Sequence, residues 1–379
     1  TPMLYFSSFS LQVDAAIMVT GSHNPKNHNG FKIVLKNKSF YGKQIQQLYQ
    51  CITKQKFQNG VGKLITKDIK DDYISDLLKR SGPFPNLKVI WDCGNGASGP
   101  ATIAATGELS GTHAVLFGDI DGHFPNHHPN PVDPETLATL RQSVAKSEAD
   151  LGIAFDGDGD RIGIIDAKGR QVSGDLLTAF LAQDIAQRHP GKPIILDVKS
   201  SDVAMDLIRA AGGKAQIWKT GHSHMKTRMK AIKAPLAGEM SGHVFIKDGF
   251  YGFDDALYVG IRVLCQMAKT GLSITEFIDS LPPQHATPEL RIYCPDDEKF
   301  DVMAQVANYV SMKTSSKNVT LIDGVRVRLD DGWWLVRASN TEAALVARAE
   351  GKTPAILGRL IKDIESALSA AGLNWTSPK

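Results

Sequence analysis

The sequence has few cysteines, and their spacing argues against two kinds of protein. Four cysteines occur in 379 residues: Cys51, Cys93, Cys265 and Cys294. No two of them form a CxxC pair, which argues against a disulfide scaffold and against a zinc site. Scattered single cysteines are typical of a reducing compartment, so we expect a cytoplasmic protein.

Long apolar runs and an excess of one charge are also absent. No run approaches the roughly 20 apolar residues that cross a bilayer, and the first residues lack the basic region and apolar core of a secretory signal. Lysine and arginine number 43 against 40 acidic residues, a net charge of +3 without a basic cluster. We therefore expect neither a nucleic-acid partner nor a membrane partner.

The length and composition fit a soluble protein of several domains. Hydrophobic residues make up 42% and charged residues 22% of the chain, and a chain of this length is expected to form about two to four domains. The sequence begins with Thr1 rather than methionine, and strand-like sequence follows almost at once. We therefore expect it to be a fragment of a longer chain.

Apolar spacing predicts alternating strands and helices through most of the chain. Short apolar or alternating runs predict strands, and an i, i+3, i+7 spacing predicts helices. The predicted strands are 15–19, 31–34, 87–92, 151–155, 162–166, 194–198 and 215–218, and the predicted helices are 134–148, 175–188 and 202–211. This alternation predicts parallel or mixed sheets covered by helices.

The pattern changes after Pro282 and Pro283. A strand at 289–294, a helix, a hairpin-like pair at 319–329 and 333–337, a strand at 344–349 and a helix at 354–371 are predicted there. The fold class we predict is α/β, with consecutive mixed-sheet domains followed by a smaller C-terminal α+β domain.

The strongest local motif is an acidic loop between two predicted strands. Asp156, Asp158 and Asp160 alternate with glycine and precede Arg161. Three carboxylates this close repel one another unless a cation lies among them, and carboxylate oxygens suit Mg²⁺ or Ca²⁺. An EF-hand needs Gly and Glu where this chain has Arg161 and Ala167, so that motif is excluded. We interpret the loop as a catalytic Mg²⁺ site; a solvated acidic loop is the alternative.

Three further polar stretches are weaker signals. The segment 19–34 contains Ser22, which is either a reactive serine or part of a polar turn. Alternating Glu239, Ser241 and His243 suggest an extended segment that presents them to one side, for a polyhydroxylated ligand; an exposed strand end is the alternative. The segment 337–341 has the composition of a phosphate-binding loop, or of a polar turn.

Taken together, four motifs in this order resemble the α-D-phosphohexomutase family, and most closely its bacterial phosphomannomutase/phosphoglucomutase branch. They are TGSHNP at 20–25, DGDGDR at 156–161, GEMSGH at 238–243 and RASNT at 337–341. Weaker matches between them, including KTGHS from Lys219 and GFDD from Gly252, extend the resemblance over essentially the whole chain. The family's fold places consecutive α/β domains and the C-terminal domain around a central cleft.

The resemblance implies a phosphoserine enzyme. Ser22 would give its phosphoryl group to a hexose 1- or 6-phosphate, which forms a hexose 1,6-bisphosphate, and would then recover the other phosphate. The cofactors implied are Mg²⁺ and, as activator and intermediate, glucose 1,6-bisphosphate. The metal ligands implied are Ser22, Asp156, Asp158 and Asp160.

The resemblance also assigns the remaining site residues. The catalytic residues implied are Ser22, His23, Lys32, Arg161 and His243. The substrate-binding residues implied are Lys199, His222, Glu239, Ser241, His243, Arg337, Ser339, Asn340 and Thr341. The substrates would be the mannose and glucose phosphates, and the enzyme would be a monomer or weak dimer in the cytoplasm that serves nucleotide-sugar synthesis.

The resemblance divides the chain into four segments, which we call the first to fourth segments: 1–68 with the phosphoserine loop, 69–170 with the metal loop, 171–282 with the sugar loop and 283–379 with the phosphate loop. Family members carry roughly eighty to ninety further residues before the first segment. A non-catalytic sugar-phosphate-binding remnant is therefore one alternative to a phosphomannomutase/phosphoglucomutase. A phosphoglucosamine mutase is the other, and Glu239, Met240 and Ser241 favour the mannose/glucose branch over it.

Overall fold

The computed structural model describes residues 1–24, 27–340 and 342–377. Across these residues the strands form four sheets, one in each of the four segments. In the same described part of the chain, no helix is long and apolar enough to cross a membrane.

The first segment contains a small antiparallel sheet and two helices. Its elements are α1 (Pro2–Ser10), β1 (Ala15–Val19), β2 (Phe31–Leu35), β3 (Lys38–Phe40) and α2 (Lys43–Thr53). The sheet order is β1-β2-β3. The strand-like reading of the first residues was wrong: Pro2 occupies the first turn of a helix, where proline is favoured, and Tyr5 and Phe6 pack into the core.

The second segment has a mixed five-stranded sheet. Its elements are α3 (Lys70–Lys79), β4 (Leu87–Asp92), α4 (Gly99–Thr106), β5 (Gly111–Leu116), α5 (Ala138–Ser147), β6 (Leu151–Phe155) and β7 (Ile162–Asp166). The last strand of the sheet, β8 (Gln171–Val172), lies just beyond the predicted boundary at residue 170. The order is β5-β4-β6-β7-β8, with β4 parallel to β5 and β6, and β7 antiparallel to β6. Helix α5 begins four residues later than predicted because residues 134–137 form turns.

The third segment repeats the α/β arrangement. Its elements are α6 (Gly174–Arg188), β9 (Pro193–Asp197), α7 (Asp202–Ala210), β10 (Lys214–Trp218), α8 (His222–Ile232), β11 (Leu236–Gly238), β12 (Val244–Ile246), α9 (Ala256–Thr270) and α10 (Ile274–Asp279). The order is β10-β9-β11-β12, in which β12 is antiparallel to β11.

The fourth segment is an antiparallel sheet covered by helices. Its elements are β13 (His285–Ala286), β14 (Leu290–Tyr293), α11 (Lys299–Lys313), a 3-10 helix (Ser316–Asn318), β15 (Val319–Thr320), β16 (Val325–Leu329), β17 (Gly332–Ala338), β18 (Ala344–Gly351) and α12 (Pro354–Ala370). The single strand predicted at 319–329 is two strands, because Gly324 turns the chain at a φ of +79°.

The two largest hydrophobic cores among the described residues hold most of these elements. One is continuous through the first three segments and contains Phe6, Trp91, Phe155, Phe180 and Tyr258. A separate core lies between the sheet and the helices of the fourth segment. The loops that follow β1, β6 and β11 leave the rigid sheets of three different segments, and these loops carry the polar motifs.

Candidate active site

Ser22 lies in the loop between β1 and β2. Its backbone is in the left-handed region, with a φ of +50°, which is uncommon for a residue other than glycine and is found at functional sites. The Ser22 N–H donates to Oγ1 of Thr20 at 2.8 Å, and Asn24 N–H donates to the Gly21 carbonyl at 2.8 Å. These short-range bonds hold the turn that presents the Ser22 hydroxyl.

The acidic loop between β6 and β7 is organised by its first carboxylate. Oδ1 of Asp156 accepts the backbone N–H groups of Asp160 and Arg161 at 3.0 and 3.1 Å, and Oδ2 accepts Nε of Arg161 at 3.1 Å. Gly159, at a φ of +75°, makes the bend possible. Asp156, Asp158 and Asp160 are consequently all buried.

The hydroxyl of Ser22 meets this acidic loop. Its Oγ lies 2.9 Å from Oδ2 of Asp156 and 2.7 Å from Oδ1 of Asp158. A hydroxyl has one proton, so it donates to one of the two carboxylates at a time. The ammonium group of Lys32, on β2, donates to Asp158 at 2.7 Å and to Asp160. Two segments thus bring a nucleophilic oxygen, a lysine and three buried carboxylates together.

The acidic trio fits a hard divalent cation. One carboxylate oxygen from each of Asp156, Asp158 and Asp160 lies within 4.8 Å of the others, and Oδ1 of Asp160 is buried without a hydrogen-bond partner among the described residues. Burial and the neighbouring Asp160 and Asp158 raise the pKa of Asp156 to about 6. Repulsion among buried carboxylates and an unpaired buried oxygen are what a bound cation relieves.

The bases beside the trio have shifted pKa values. Burial lowers the pKa of Lys32, but the carboxylates of Asp160 and Asp158 outweigh it and hold that pKa well above its usual value. Burial and the Arg161 guanidinium lower the pKa of His23 to about 4, so His23 is neutral near pH 7. Its Nδ1 is 3.2 Å from Oγ of Ser22. Beside the trio, Lys32 is therefore charged near pH 7 and His23 is not.

Glu239, Ser241 and His243 lie in a turn, not on the extended segment we expected. Residues 239–243 connect β11 to β12, and Glu239 N–H donates to the His243 carbonyl at 2.8 Å, as in a hairpin. Oγ of Ser241 donates to Oε2 of Glu239 at 3.4 Å. Burial raises the pKa of Glu239 to about 7. Glu239 and Ser241 still lie close together, because the backbone turns between them; they do not alternate along a strand.

His243 connects this turn to the acidic trio. Its Nδ1 is 3.7 Å from Oδ1 of Asp160 and 3.0 Å from Oδ2 of Asp254. Its ring stacks on His222 with the centroids 5.7 Å apart. Asp254 also accepts from Nζ of Lys226 at 2.8 Å. Sequence reasoning assigned no role to Asp254 or Lys226, although the GFDD segment that contains Asp254 was the available signal.

His222 is the first residue of α8 and is neutral near pH 7. Burial and the Lys226 ammonium lower its pKa to about 3. The loop before it, 219–221, is bonded to the turn at 239–243, because Gly221 N–H donates to Oε1 of Glu239 at 3.2 Å. His222 therefore follows a loop that is bonded to the turn at 239–243, and its ring stacks on His243.

Lys199 follows β9 and is held between two carboxylates. Its Nζ is 2.5 Å from Oε1 of Glu289 in the fourth segment and 3.9 Å from Oδ2 of Asp197. Burial lowers the pKa of Lys199, but Asp197 and Glu289 outweigh it and raise that pKa above its usual value. Lys199 therefore stays a cation at the boundary of the third and fourth segments.

Arg337 and Ser339 lie at the end of β17 and just beyond it. Asp323 receives hydrogen bonds from Nε of Arg337 at 3.1 Å and from Nη2 at 3.4 Å. Ser339 N–H donates to the Ala344 carbonyl at 2.9 Å, which closes the loop. Asn340 is exposed, and Thr341 lies outside the described residues. Sequence reasoning missed Asp323, because nothing near it in the sequence marks it.

The structure therefore brings the predicted residues together in three connected groups. Ser22, His23, Lys32 and Arg161 surround the acidic trio, and His243 connects the trio to His222. Glu239 and Ser241 share a turn that is bonded to Gly221. Arg337 reaches the same loop through Asp323, which accepts the Thr220 N–H at 3.0 Å.

Comparison with known families gives the same assignment along the whole chain. Models described as phosphoglucomutase/phosphomannomutase α/β/α domains I, II and III, and as the C-terminal domain, match residues 1–59, 66–169, 173–285 and 289–367. The protein belongs to the phosphoglucomutase/phosphomannomutase family.

Individual relatives agree with that assignment. A phosphomannomutase/phosphoglucomutase of Pseudomonas putida is 42% identical over 364 residues, 96% of this chain and 78% of the relative. A phosphoglucomutase of Neisseria meningitidis serogroup A is 37% identical over 99% of this chain and 82% of the relative. A solved phosphoglucomutase/phosphomannomutase family protein of Burkholderia thailandensis superposes with a TM-score of 0.89 at 39% identity, over 95% of this chain and 77% of that one.

These comparisons confirm three predictions made from the sequence. They are the family, the four-part α/β fold with mixed sheets, and the class of enzyme, a hexose-phosphate mutase. The domain boundaries after residues 68, 170 and 282 and the roles of individual residues stay predictions.

Proposed function

We propose that this protein interconverts mannose and glucose 6-phosphates with the corresponding 1-phosphates through a phosphorylated Ser22. The observation that carries the proposal is the position of Oγ of Ser22, 2.9 and 2.7 Å from the buried carboxylates of Asp156 and Asp158. When Ser22 gives up its phosphoryl group, Oγ of Ser22 is the leaving oxygen, and negatively charged carboxylates alone do not stabilise it. Lys32 and Arg161 beside it would bind the phosphoryl oxygens of a phosphoserine.

Each half-reaction transfers one phosphoryl group. The free hydroxyl of a hexose phosphate attacks the phosphorus on Ser22, the bond between phosphorus and Oγ breaks, and the hydroxyl proton passes to a base. His243 is our candidate for that base, because its ring lies between Asp160 and Asp254 at the edge of the trio. The resulting 1,6-bisphosphate turns over, and Oγ of Ser22 takes its other phosphoryl group.

Asp156, Asp158 and Asp160, with an oxygen on Ser22, would hold Mg²⁺. When bound, Mg²⁺ supplies positive charge that offsets the charge on the transferring phosphoryl group. The chain itself orients the nucleophile through the turn at 20–24 and keeps the Arg161 guanidinium fixed on Asp156. Such loose phosphoryl transfer depends mainly on positioning and charge.

The other phosphate of the substrate would bind at the fourth segment. Arg337, Ser339, Asn340 and Thr341 would contact it, with Lys199 and His222 nearby, and Glu239 and Ser241 would bind sugar hydroxyls. Glu239 supports this assignment because its buried carboxyl, with a pKa of about 7, can both donate and accept near neutral pH. Glucose 1,6-bisphosphate would then act as activator and intermediate.

We also place the enzyme in the cytoplasm, as a monomer or weak dimer that has no nucleic-acid or membrane partner. The four cysteines support the compartment, because all of them are free thiols and three are buried.

The test is the phosphoryl content and activity of Ser22→Ala in the full protein. We expect the wild-type mass to exceed the sequence mass by one phosphoryl group and Ser22→Ala to lack that group. Mutase activity should fall by more than about a hundredfold, since removing a covalent nucleophile removes the route. Rates with glucose, mannose and glucosamine 1-phosphates, with and without EDTA, establish the preferred sugar and the metal requirement.

Ser10→Ala is the matched control, because Ser10 is an exposed serine at the end of α1, outside the proposed site. It should keep both the phosphoryl group and the activity. Wild-type rates in Ser22→Ala, or a phosphoryl group that stays on that variant, would show that another residue carries the phosphate.

A further inference from the structure

Asp323 lies in the turn between β15 and β16, and this turn is pressed against the strand that carries Arg337. Gly324 has a φ of +79°, and a Cβ on it would lie 2.3 Å from the Val336 carbonyl oxygen and 2.6 Å from Cα of Arg337. Only glycine permits so close an approach. The position of Asp323 relative to β17 is therefore fixed by backbone contact.

The Asp323 carboxylate contacts two segments of the chain. Oδ2 accepts Nε of Arg337 at 3.1 Å and the backbone N–H of Thr220 at 3.0 Å, and Oδ1 accepts Nη2 of Arg337 at 3.4 Å. The side chains of Arg337 and Asp323 are only 6% and 17% exposed. Charge-assisted bonds in such surroundings are stronger than those of a surface ion pair.

Thr220 is itself held on the third segment. Its Oγ1 donates to Oδ2 of Asp197 at 3.1 Å, and the next N–H along the chain, that of Gly221, donates to Oε1 of Glu239 at 3.2 Å. Two successive N–H groups of one loop thus bind carboxylates from different segments. The Thr220 bond therefore anchors the Asp323 carboxylate to the loop 219–221, which also binds Glu239.

We propose that Asp323 is a positioning residue that orients the Arg337 guanidinium for a substrate phosphate and sets its distance from Glu239. This proposal rests on the proposed function, in which Arg337 binds the phosphate and Glu239 the sugar. A guanidinium has five N–H groups, and Asp323 engages only the Nε and Nη2 edge. The remaining N–H groups stay available to an anion, with the plane of the group already fixed.

Asp323 also has an effect that would weaken, and not strengthen, the binding of a substrate phosphate. A carboxylate so near the phosphate site repels an anionic substrate and competes for Arg337. If repulsion dominates, removing Asp323 tightens binding of the substrate. If positioning dominates, removal weakens binding, because the freed guanidinium must be ordered by the substrate itself.

The experiment is a double-mutant cycle of Asp323→Ala and Arg337→Ala in the full protein, with glucose 1-phosphate turnover and calorimetric binding of glucose 6-phosphate. We expect Asp323→Ala to raise KM about tenfold while kcat stays within about threefold, the pattern of lost uniform binding. In the Arg337→Ala background, removing Asp323 should change KM by less than about twofold, because Asp323 acts through Arg337.

Asp330→Ala is the control, because Asp330 is an exposed aspartate of the same segment, and it should match wild type in KM and kcat. An unchanged or lowered KM in Asp323→Ala overturns the proposal, as does a KM effect of equal size in the Arg337→Ala background, which would mark a general structural role. A wild-type enzyme without turnover overturns the proposed function instead, and calorimetry still reports whether Asp323 affects binding.

Discussion

Two adjacent aspartates before α9 have opposite pKa shifts, although both are fully buried. Burial raises the pKa of Asp254, but the Lys226 ammonium at 2.8 Å and His243 outweigh it and hold that pKa well below its usual value. Burial raises the pKa of Asp255 to about 7, and the hydrogen bonds from Tyr258 N–H and the neutral Tyr73 O–H lower it by less than burial raises it. The Lys226 cation in contact with Asp254 therefore accounts for the opposite pKa shifts of the two residues.

At the residue scale, Asp255 gives the fold a pH dependence. Its pKa is about 7 in the fold against 3.8 normally, so the folded state binds the extra proton and its stability falls as pH rises from about 4 to 7. Relative to Asp255→Asn, we expect wild type to lose roughly 1.4 kcal/mol of unfolding free energy per pH unit in that window and none above it. Urea titrations of both proteins at pH 5, 6, 7 and 8 measure the difference.

Asn suits this comparison because it keeps an oxygen that caps α9 through Tyr258 N–H. Parallel curves for wild type and Asp255→Asn from pH 5 to 7 would show that Asp255 is already ionised at pH 5. Tyr73→Phe provides a second check, because the lost O–H donor should destabilise the fold by about 1–3 kcal/mol at every pH.

At the element scale, the loop that carries Ser22 and the acidic loop approach one another across a glycine. A Cβ on Gly157 would lie 2.1 Å from the Ser22 carbonyl oxygen. On its other side, the Gly157 carbonyl accepts Ala97 N–H at 2.8 Å. The acidic loop cannot retreat without breaking that bond, so a side chain at residue 157 must displace Ser22.

We therefore expect Gly157→Ala to lower mutase activity by about a hundredfold, since a displacement of about 1 Å at a reacting group has that effect. Gly122→Ala is the control, because a Cβ there has no described atom within 4 Å and the backbone needs no left-handed φ. Activity assays and melting curves of both variants decide the point. Wild-type activity in Gly157→Ala would mean that the two loops can move apart without cost.

How far the sequence predicted these elements depends on how local their contacts are. Strands 87–92, 151–155 and 162–166 have their predicted bounds, because each is a short apolar run between turn residues. The sequence revealed Asp156, Asp158 and Asp160 as one group because they lie within five consecutive residues. Asp323 was not found, because Thr220, one of its partners, lies 103 positions away, and apolar spacing carries no information about such pairs.

At the scale of the whole molecule, the fourth segment is joined to the third through a buried arginine. Nη1 of Arg326 donates to the carbonyls of Val198 and Ser200 at 2.6 and 2.8 Å, and Nη2 donates to Asp202 at 2.9 Å. Its guanidinium carbon lies 3.7 Å from the ring centroid of Trp333. Burial lowers the pKa of Arg326 to about 10, so it is still charged near neutral pH. This junction sets where Arg337 lies relative to Lys199.

Removing Arg326 should therefore weaken the junction as well as the fold. Arg326→Ala leaves two carbonyls without their donor and Asp202 with Arg328 alone, so we expect a loss of about 3–5 kcal/mol, the usual result of removing one partner of a buried charge pair. Arg328→Ala is the matched control: Arg328 donates to the same Asp202 but is 48% exposed, so its loss should be below about 1 kcal/mol. Denaturant midpoints test this difference.

The KM for glucose 1-phosphate should rise only in Arg326→Ala, because the positions of Arg337 and Lys199 relative to each other are then no longer fixed. Equal midpoints for the two variants would show that the Arg326 guanidinium, with its hydrogen bonds and its contact with Trp333, does not hold the fourth segment in place.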